Sequence, residues 1–272
     1  MIVDAEDFVP GKEPVVAPAP LAFVRPDGAN LFARRALRLR TLADGHPMGD
    51  FLSFVADLAL AQQALADRGG GWQDLLPSLL RAVLERPSTE AVAEAVALLQ
   101  GESSAAIAGR AERWLAGTPD TADLTGAPFI AAALQIERVR IAATAEAAFD
   151  HAGRCPLCGG APVAATLGTR GDIAGLRYLH CGLCATAWHL ERLACPGCGS
   201  EGKLVYHHLD GYQPKVKAET CGECGTYVKL FDTDTCSGIE PLADDLASLA
   251  LDFLLAEEGW RRLWPNPFLH GA

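Results

Sequence analysis

The chain has 272 residues, of which 50% are apolar and 21% are charged, with a formal net charge of −11. This composition excludes intrinsic disorder, and the negative charge argues against a nucleic-acid binder, which needs clustered Lys and Arg for its phosphate contacts. No run reaches the roughly 18–20 apolar residues of a membrane span, and the acidic N-terminus is unlike a secretory signal, so we predict a cytoplasmic protein with reduced cysteines.

The first half of the chain is predicted to be helical. A Pro-rich leader over residues 1–27 precedes an α-helical domain over residues 28–150. Apolar residues recur there at helical spacing in six segments, which are 31–43, 51–68, 72–85, 89–100, 103–116 and 128–149. The first segment carries Arg34, Arg35 and Arg38 along one side, which we interpret as a solvated basic face.

The second half contains all nine cysteines, and eight of them form Cys-x-x-Cys pairs. The first set of four is Cys155, Cys158, Cys181 and Cys184. Adding 40 to each number gives the second set, which is Cys195, Cys198, Cys221 and Cys224. Each set has the same gap of 22 residues between its two pairs, and the flanking residues also repeat. These matches indicate an internal duplication of a 40-residue unit.

The spacing of each set predicts a tetrahedral metal site with four thiolate ligands. Five glycines beside the cysteines permit the positive φ that such turns often need; they are Gly159, Gly182, Gly199, Gly222 and Gly225. Strand-like runs lie at 162–167, 176–180, 204–208, 215–220 and 227–231. We therefore predict two rubredoxin-like or zinc-ribbon modules, over residues 151–190 and 191–236. Metal binding would supply much of their folding free energy, because each module is too small for a core.

The last part of the chain, residues 237–272, is predicted to contain one helix and a tail. Positions 241–258 place Leu242, Leu246, Leu249 and Phe253 on a common face. The predicted fold class is thus α+β: an N-terminal all-α domain, two tandem four-cysteine modules and a C-terminal helix.

Other interpretations of the cysteines remain open at this stage. A redox Cys-x-x-Cys pair is disfavoured by four pairs in register outside a βαβ unit. Pairing of the first with the third Cys-x-x-Cys is possible, although the equal gaps favour one complete site per repeat. Four thiolates suit zinc and a single rubredoxin-type iron equally, and a closed cage leaves no position for catalysis. Cys236 is interpreted as a non-ligand. The same applies to the histidines close to the cysteine motifs, which are His180, His189, His207 and His208.

Several further motifs bring the chain close to a known family. They are the Leu-Phe-Ala-Arg-Arg run from Leu31, His-Pro-Met-Gly-Asp from His46, Pro-Phe-Ile-Ala-Ala-Ala-Leu-Gln from Pro128, Asp-Asp-Leu-Ala-Ser-Leu from Asp244, Glu-Glu-Gly-Trp from Glu257 and Pro-Asn-Pro-Phe from Pro265. With the duplicated cysteine motifs, the chain resembles the FdhE family of formate dehydrogenase accessory proteins. The resemblance implies a cytoplasmic protein that is needed to form active formate dehydrogenase and that contacts its catalytic subunit. The closed cages, and the lack of a nucleophile beside a base in the sequence, predict that it is not an enzyme.

The same resemblance implies that the eight paired cysteines are ligands of two metal ions, with rubredoxin-type iron favoured and zinc as the alternative. Two other functions stay open. One is a rubredoxin-type electron carrier, which requires redox-active iron. The other is a zinc-ribbon factor associated with nucleic acid, which the acidic charge disfavours.

Overall fold

The fold is known from a computed structural model, which describes residues 19–87, 89–147, 153–208 and 216–269. The helices are α1 (Leu31–Ala43), α2 (Gly49–Leu65), α3 (Trp72–Leu84), α4 (Glu90–Gly101), α5 (Ser104–Ala116), α6 (Thr121–Leu124), α7 (Ala127–Thr144), α8 (Pro241–Ala247) and α9 (Leu249–Glu257). The strands are β1 (Phe23–Val24), β2 (Pro162–Arg170), β3 (Ile173–Cys181), β4 (Ala187–His189), β5 (Leu204–His208), β6 (Val216–Cys221), β7 (Thr226–Asp232) and β8 (Arg261–Arg262). The predicted α+β class is confirmed.

Helix α7 lies at the centre of the helical part. Most of its apolar residues are buried, among them Phe129, Leu134 and Ile136, as expected for a helix with other elements packed around it. The helix begins after Gly126, whose φ of +93° suits glycine, and Pro128 lies in its first turn. It ends at Thr144, so the predicted extension to 149 is wrong for residues 145–147; residues 148–150 lie outside the described part.

The strands form one sheet in the order β1-β4-β3-β2-β7-β6-β5, with β8 beside β7. Each cysteine repeat contributes an antiparallel hairpin, β2–β3 in the first and β5–β6 in the second. The two repeats are joined by a parallel pairing of β2 with β7, in which Ala165 lies opposite Leu230. Strand β1, from the predicted leader, pairs with β4. That the two repeats share one sheet was not predicted from the sequence.

A continuous hydrophobic core connects the helical part with the sheet. It contains Phe32 and Leu134 from the helices, Val163 and Phe231 from the strands, and Leu246 from α8. Because the same core stabilises both parts, the cysteine repeats gain folding free energy from burial of apolar surface and do not depend on metal binding alone. Among the described residues, no helix has the length and apolar character needed to cross a membrane.

The predicted single helix over 241–258 is wrong, because the chain breaks at Ser248 into α8 and α9. The buried Lys229 ammonium donates hydrogen bonds to the carbonyl oxygens of Asp245 and Ser248, at 2.8 and 3.2 Å. The Ser248 hydroxyl donates to the Asp244 carbonyl at 2.8 Å. These bonds draw the carbonyls away from regular helical geometry. Phe253, predicted to share a face with Leu242, Leu246 and Leu249, is 61% exposed, whereas those three leucines are buried.

The interpretation of the α1 arginines as a solvated face is also wrong for Arg35 and holds only in part for Arg38. Arg35 is 2% exposed and donates to Glu240 Oε1 at 3.0 Å and to Gln135 Oε1 at 3.1 Å. Arg38 donates to the carboxylate of Asp244, which is fully buried. Arg35 and Arg38 therefore hold α7 and α8 against α1.

Candidate metal centres

The structure gathers the eight paired cysteines into two clusters of four, one from each repeat. Site 1 comprises Cys155, Cys158, Cys181 and Cys184, and site 2 comprises Cys195, Cys198, Cys221 and Cys224. Within each site, the Sγ atoms all lie within 4.8 Å of one another. The grouping is sequential, so the structure does not bring the first pair together with the third.

The sulfur separations fit a tetrahedral metal ion. In site 1, the Cys155–Cys184 and Cys158–Cys181 Sγ atoms are 3.4 and 3.5 Å apart. The equivalent distances in site 2 are both 3.7 Å. Metal–sulfur bonds of about 2.3 Å in a tetrahedron require sulfurs about 3.8 Å apart. The donor set therefore matches zinc or a single iron, both of which prefer thiolate tetrahedra.

Each site is built from two tight turns at the ends of strands. In site 1, Cys155 and Cys158 lie in the turn before β2, while Cys181 ends β3 and Cys184 lies in the turn that follows. The backbone N–H groups of Leu183 and Cys184 donate to Cys181 Sγ, both at 3.4 Å. Such bonds orient a thiolate and disperse its charge.

Hydroxyl groups contact the sulfurs at repeat-equivalent positions that the sequence analysis missed. Thr186 Oγ1 lies 3.0 Å from Cys184 Sγ, and Thr226 Oγ1 lies 3.0 Å from Cys224 Sγ. The signal was available, because the two threonines are 40 residues apart like the cysteines. They provide further hydrogen-bond donors to the thiolates of both sites.

The two sites differ in exposure. Three cysteines of site 1 are buried and Cys158 is half-buried, whereas in site 2 Cys198 is exposed and Cys224 is half-buried. The Ser200 hydroxyl lies 3.2 Å from Cys198 Sγ, and its repeat equivalent is Gly160. Hydrogen bonds from Ser200 lower the pKa of the Cys198 thiol below its ordinary value. Site 2 is thus the more accessible to solvent reagents.

Three of the five glycines predicted to adopt positive φ do so. Gly159 and Gly199 have φ of +68° and +73°, and Gly225 has +67°. Gly182 and Gly222 lie outside the left-handed region. At the position equivalent to Gly225, the first repeat has Ala185, with φ of +58°.

We expect Gly225→Ala to lower the free energy of unfolding by about 1 kcal/mol, the cost of placing a Cβ in the left-handed region. No atom lies within 4 Å of the added Cβ, so the cost is conformational. Gly69→Ala is the control, since that position is equally open and its φ is not positive. Urea unfolding should show a loss for the first variant and none for the second. Equal midpoints would contradict the expectation.

Among the described residues, the histidines and Cys236 lie outside both four-sulfur clusters. His180 Nε2 and Thr166 Oγ1 are 2.8 Å apart, and His207 Nε2 and Thr220 Oγ1 are 3.0 Å apart. Burial, with a smaller effect of the Arg170 charge, lowers the pKa of His180 to about 3, so this imidazole is neutral. Cys236 is half-buried in the loop before α8.

A helical body and a single sheet with two four-cysteine clusters define a protein with two candidate tetrahedral metal centres. The family models described as the FdhE N-terminal, central and C-terminal domains match residues 20–71 and 66–152, 154–192, and 193–269. The chain belongs to the FdhE family.

Relatives and a solved structure agree with this assignment. The chain is 37% identical to a protein FdhE homolog of Cronobacter sakazakii, covering 92% of this chain and 91% of that protein. It is 36% identical to the protein FdhE of Escherichia coli O9:H4, with the same coverage. The crystal structure of the FdhE protein from Pseudomonas aeruginosa is similar at a TM-score of 0.80 and 33% identity, covering 93% of this chain and all of that one.

Proposed function

We propose that this protein is an accessory factor in the formation of active formate dehydrogenase and that it acts by binding the catalytic subunit of that enzyme. Membership of the FdhE family over nearly the whole chain is the observation that carries the proposal. A binding role also agrees with the chemistry of the two sites, because four thiolates complete a tetrahedron and leave no position for substrate.

We further propose that each cluster binds one metal ion through its four thiolates. Iron is favoured by the family resemblance, and zinc is the alternative. The metal ions would then stiffen the cysteine turns that connect the strands of both repeats, since a structural metal contributes directly to folding free energy. The cytoplasm, where thiols stay reduced, is the compartment that suits eight metal-binding cysteines.

A rubredoxin-type electron carrier is the second candidate. The exposure of Cys198 favours it, since an electron carrier needs its metal near the surface. Visible absorbance that bleaches on reduction would support this function, whereas a colourless zinc protein would exclude it.

The functional proposal is tested in the native host. Deletion of the gene should leave the catalytic subunit synthesised but inactive, and the full-length protein should capture that subunit in a pull-down. A variant carrying Cys195→Ser and Cys198→Ser should fail to restore activity. If the deletion strain oxidised formate normally and no subunit were captured, the proposal would be wrong.

A further inference from the structure

A cleft of about 650 Å³ lies beside site 1, between α1, the segment after β1, the β2–β3 hairpin and the loop before α8. Its volume is within the range of about 300–1,000 Å³ typical of ligand sites. Two carboxylates, Asp27 and Glu240, and five arginines line it. The arginines are Arg25, Arg34, Arg35, Arg38 and Arg170. The cleft is therefore cationic, although the whole chain has a net charge of −11.

Three of the five guanidinium groups lack a close carboxylate partner. Arg25 donates to the carbonyl of Ala142 at 2.7 Å, and Arg170 lies 4.3 Å above the ring of Tyr178. In the part of the chain that the structure describes, no carboxylate lies within 4.0 Å of either group. Arg34 and Asp27 form only a loose, exposed pair at 3.7 Å. By contrast, Arg35 and Arg38 are held by Glu240 and by Asp244.

The surface between these charges is apolar. Leu31, Val163 and Leu242 form a buried floor, and Ile239 packs against the core beside them. Leu37 also lines the cleft and is 71% exposed. An exposed leucine in a cleft that also contains weakly paired arginines favours a ligand that carries both carboxylates and apolar groups.

Helix α1 forms a long part of the cleft wall. The helix contributes residues at helical spacing from Leu31 through Arg34 and Arg38 to Thr41. Ten residues of helix correspond to about 15 Å, which is the length of four to five residues of extended chain. A single phosphate would occupy only a fraction of this length, whereas an extended peptide would span it.

We propose that this cleft binds an extended acidic segment of a polypeptide. The carboxylates of the segment pair with Arg25, Arg34 and Arg170, and its apolar side chains cover Leu37 and Ile239. This inference rests on the proposed function in one respect, since the segment is assigned to the catalytic subunit that the protein binds.

The test uses a fluorescent peptide of alternating leucine and glutamate, titrated with the full chain at 50 and 300 mM NaCl. We expect saturable binding that weakens with salt, as charge pairing at a surface requires. The triple variant Arg25→Gln, Arg34→Gln, Arg170→Gln should bind about 3- to 100-fold more weakly, because it removes three exposed ion pairs of about 0.2–1 kcal/mol each. Arg81→Gln, on the exposed face of α3, is the control and should bind within about twofold of the wild type.

Three outcomes would overturn the proposal. They are equal binding of a peptide with glutamine in place of glutamate, equal binding by the triple variant, and binding of inorganic pyrophosphate but not of the peptide. Capture of the catalytic subunit separates this proposal from the functional one. If wild type and triple variant capture it equally, the cleft assignment fails and the function stands. If neither captures it while the peptide still distinguishes them, the function fails and the cleft stands.

Discussion

Replacing Cys184 with serine is expected to abolish the folded state of the whole chain rather than that of one repeat. Cys184 is fully buried and packs in a cluster with Cys155, Leu179 and Trp188. Loss of one thiolate would remove the metal ion proposed for site 1. Structural zinc in small domains contributes about 10–16 kcal/mol, which is comparable to the total stability of a domain. Because β2 pairs with β7 and shares the helical core, the loss is transmitted beyond site 1.

The matched control is Cys224→Ser, the same substitution at the equivalent, half-buried position of site 2. This variant should remain folded with a lower Tm and one metal ion fewer, because site 2 belongs to the β5–β6 hairpin, and β5 is an edge strand of the sheet. Far-UV circular dichroism and metal analysis of both variants provide the measurement. Native-like spectra for Cys184→Ser, with full helical content, would show that the repeats fold independently of the helices.

The second large effect is expected at a buried ion cluster between β7 and the C-terminal helices. The Lys229 ammonium, fully buried, lies 3.3 Å from Asp245 Oδ1 and also contacts Asp252. Arg262 contacts Asp245 and lies 3.1 Å from Asp252 Oδ1. Although burial raises the pKa of Asp245, the charges of Arg262 and Lys229 lower it overall. Asp245 is thus ionised at neutral pH.

Asp245→Asn should lower the free energy of unfolding by about 3–5 kcal/mol, because it leaves the buried Lys229 charge poorly compensated. The control is Asp57→Asn, which removes a surface partner of Arg40 at 2.7 Å and should cost no more than about 1 kcal/mol. Urea titrations followed by tryptophan fluorescence would measure both. Equal unfolding midpoints for the two variants would mean that the buried cluster adds little to stability.

Local patterns in the sequence predicted much of this architecture. The 40-residue repeat identified the eight cysteines that the structure brings together, because a Cys-x-x-Cys turn is a local feature. Helical periodicity placed α1 through α5 within a few residues of their ends. The domain boundaries at residues 28, 151, 191 and 237 stay predictions.

Features that depend on distant residues could not be predicted in this way. Arg35 is buried because Glu240, 205 positions later, accepts its hydrogen bonds. The break at Ser248 depends on Lys229 of a neighbouring strand. The parallel pairing of β2 with β7 joins two repeats that carry no local signal for it. In each case the deciding partner is brought into place only by the tertiary fold.

The metal content of the protein, purified without oxygen from its native host, tests the central claim most directly. Elemental analysis combined with native mass spectrometry should find two ions per chain, iron or zinc, with all eight paired thiols protected from alkylation. Removal of site 2 by Cys195→Ser and Cys198→Ser should leave one ion. Fewer than one ion per chain, or disulfides within the Cys-x-x-Cys pairs, would contradict the account.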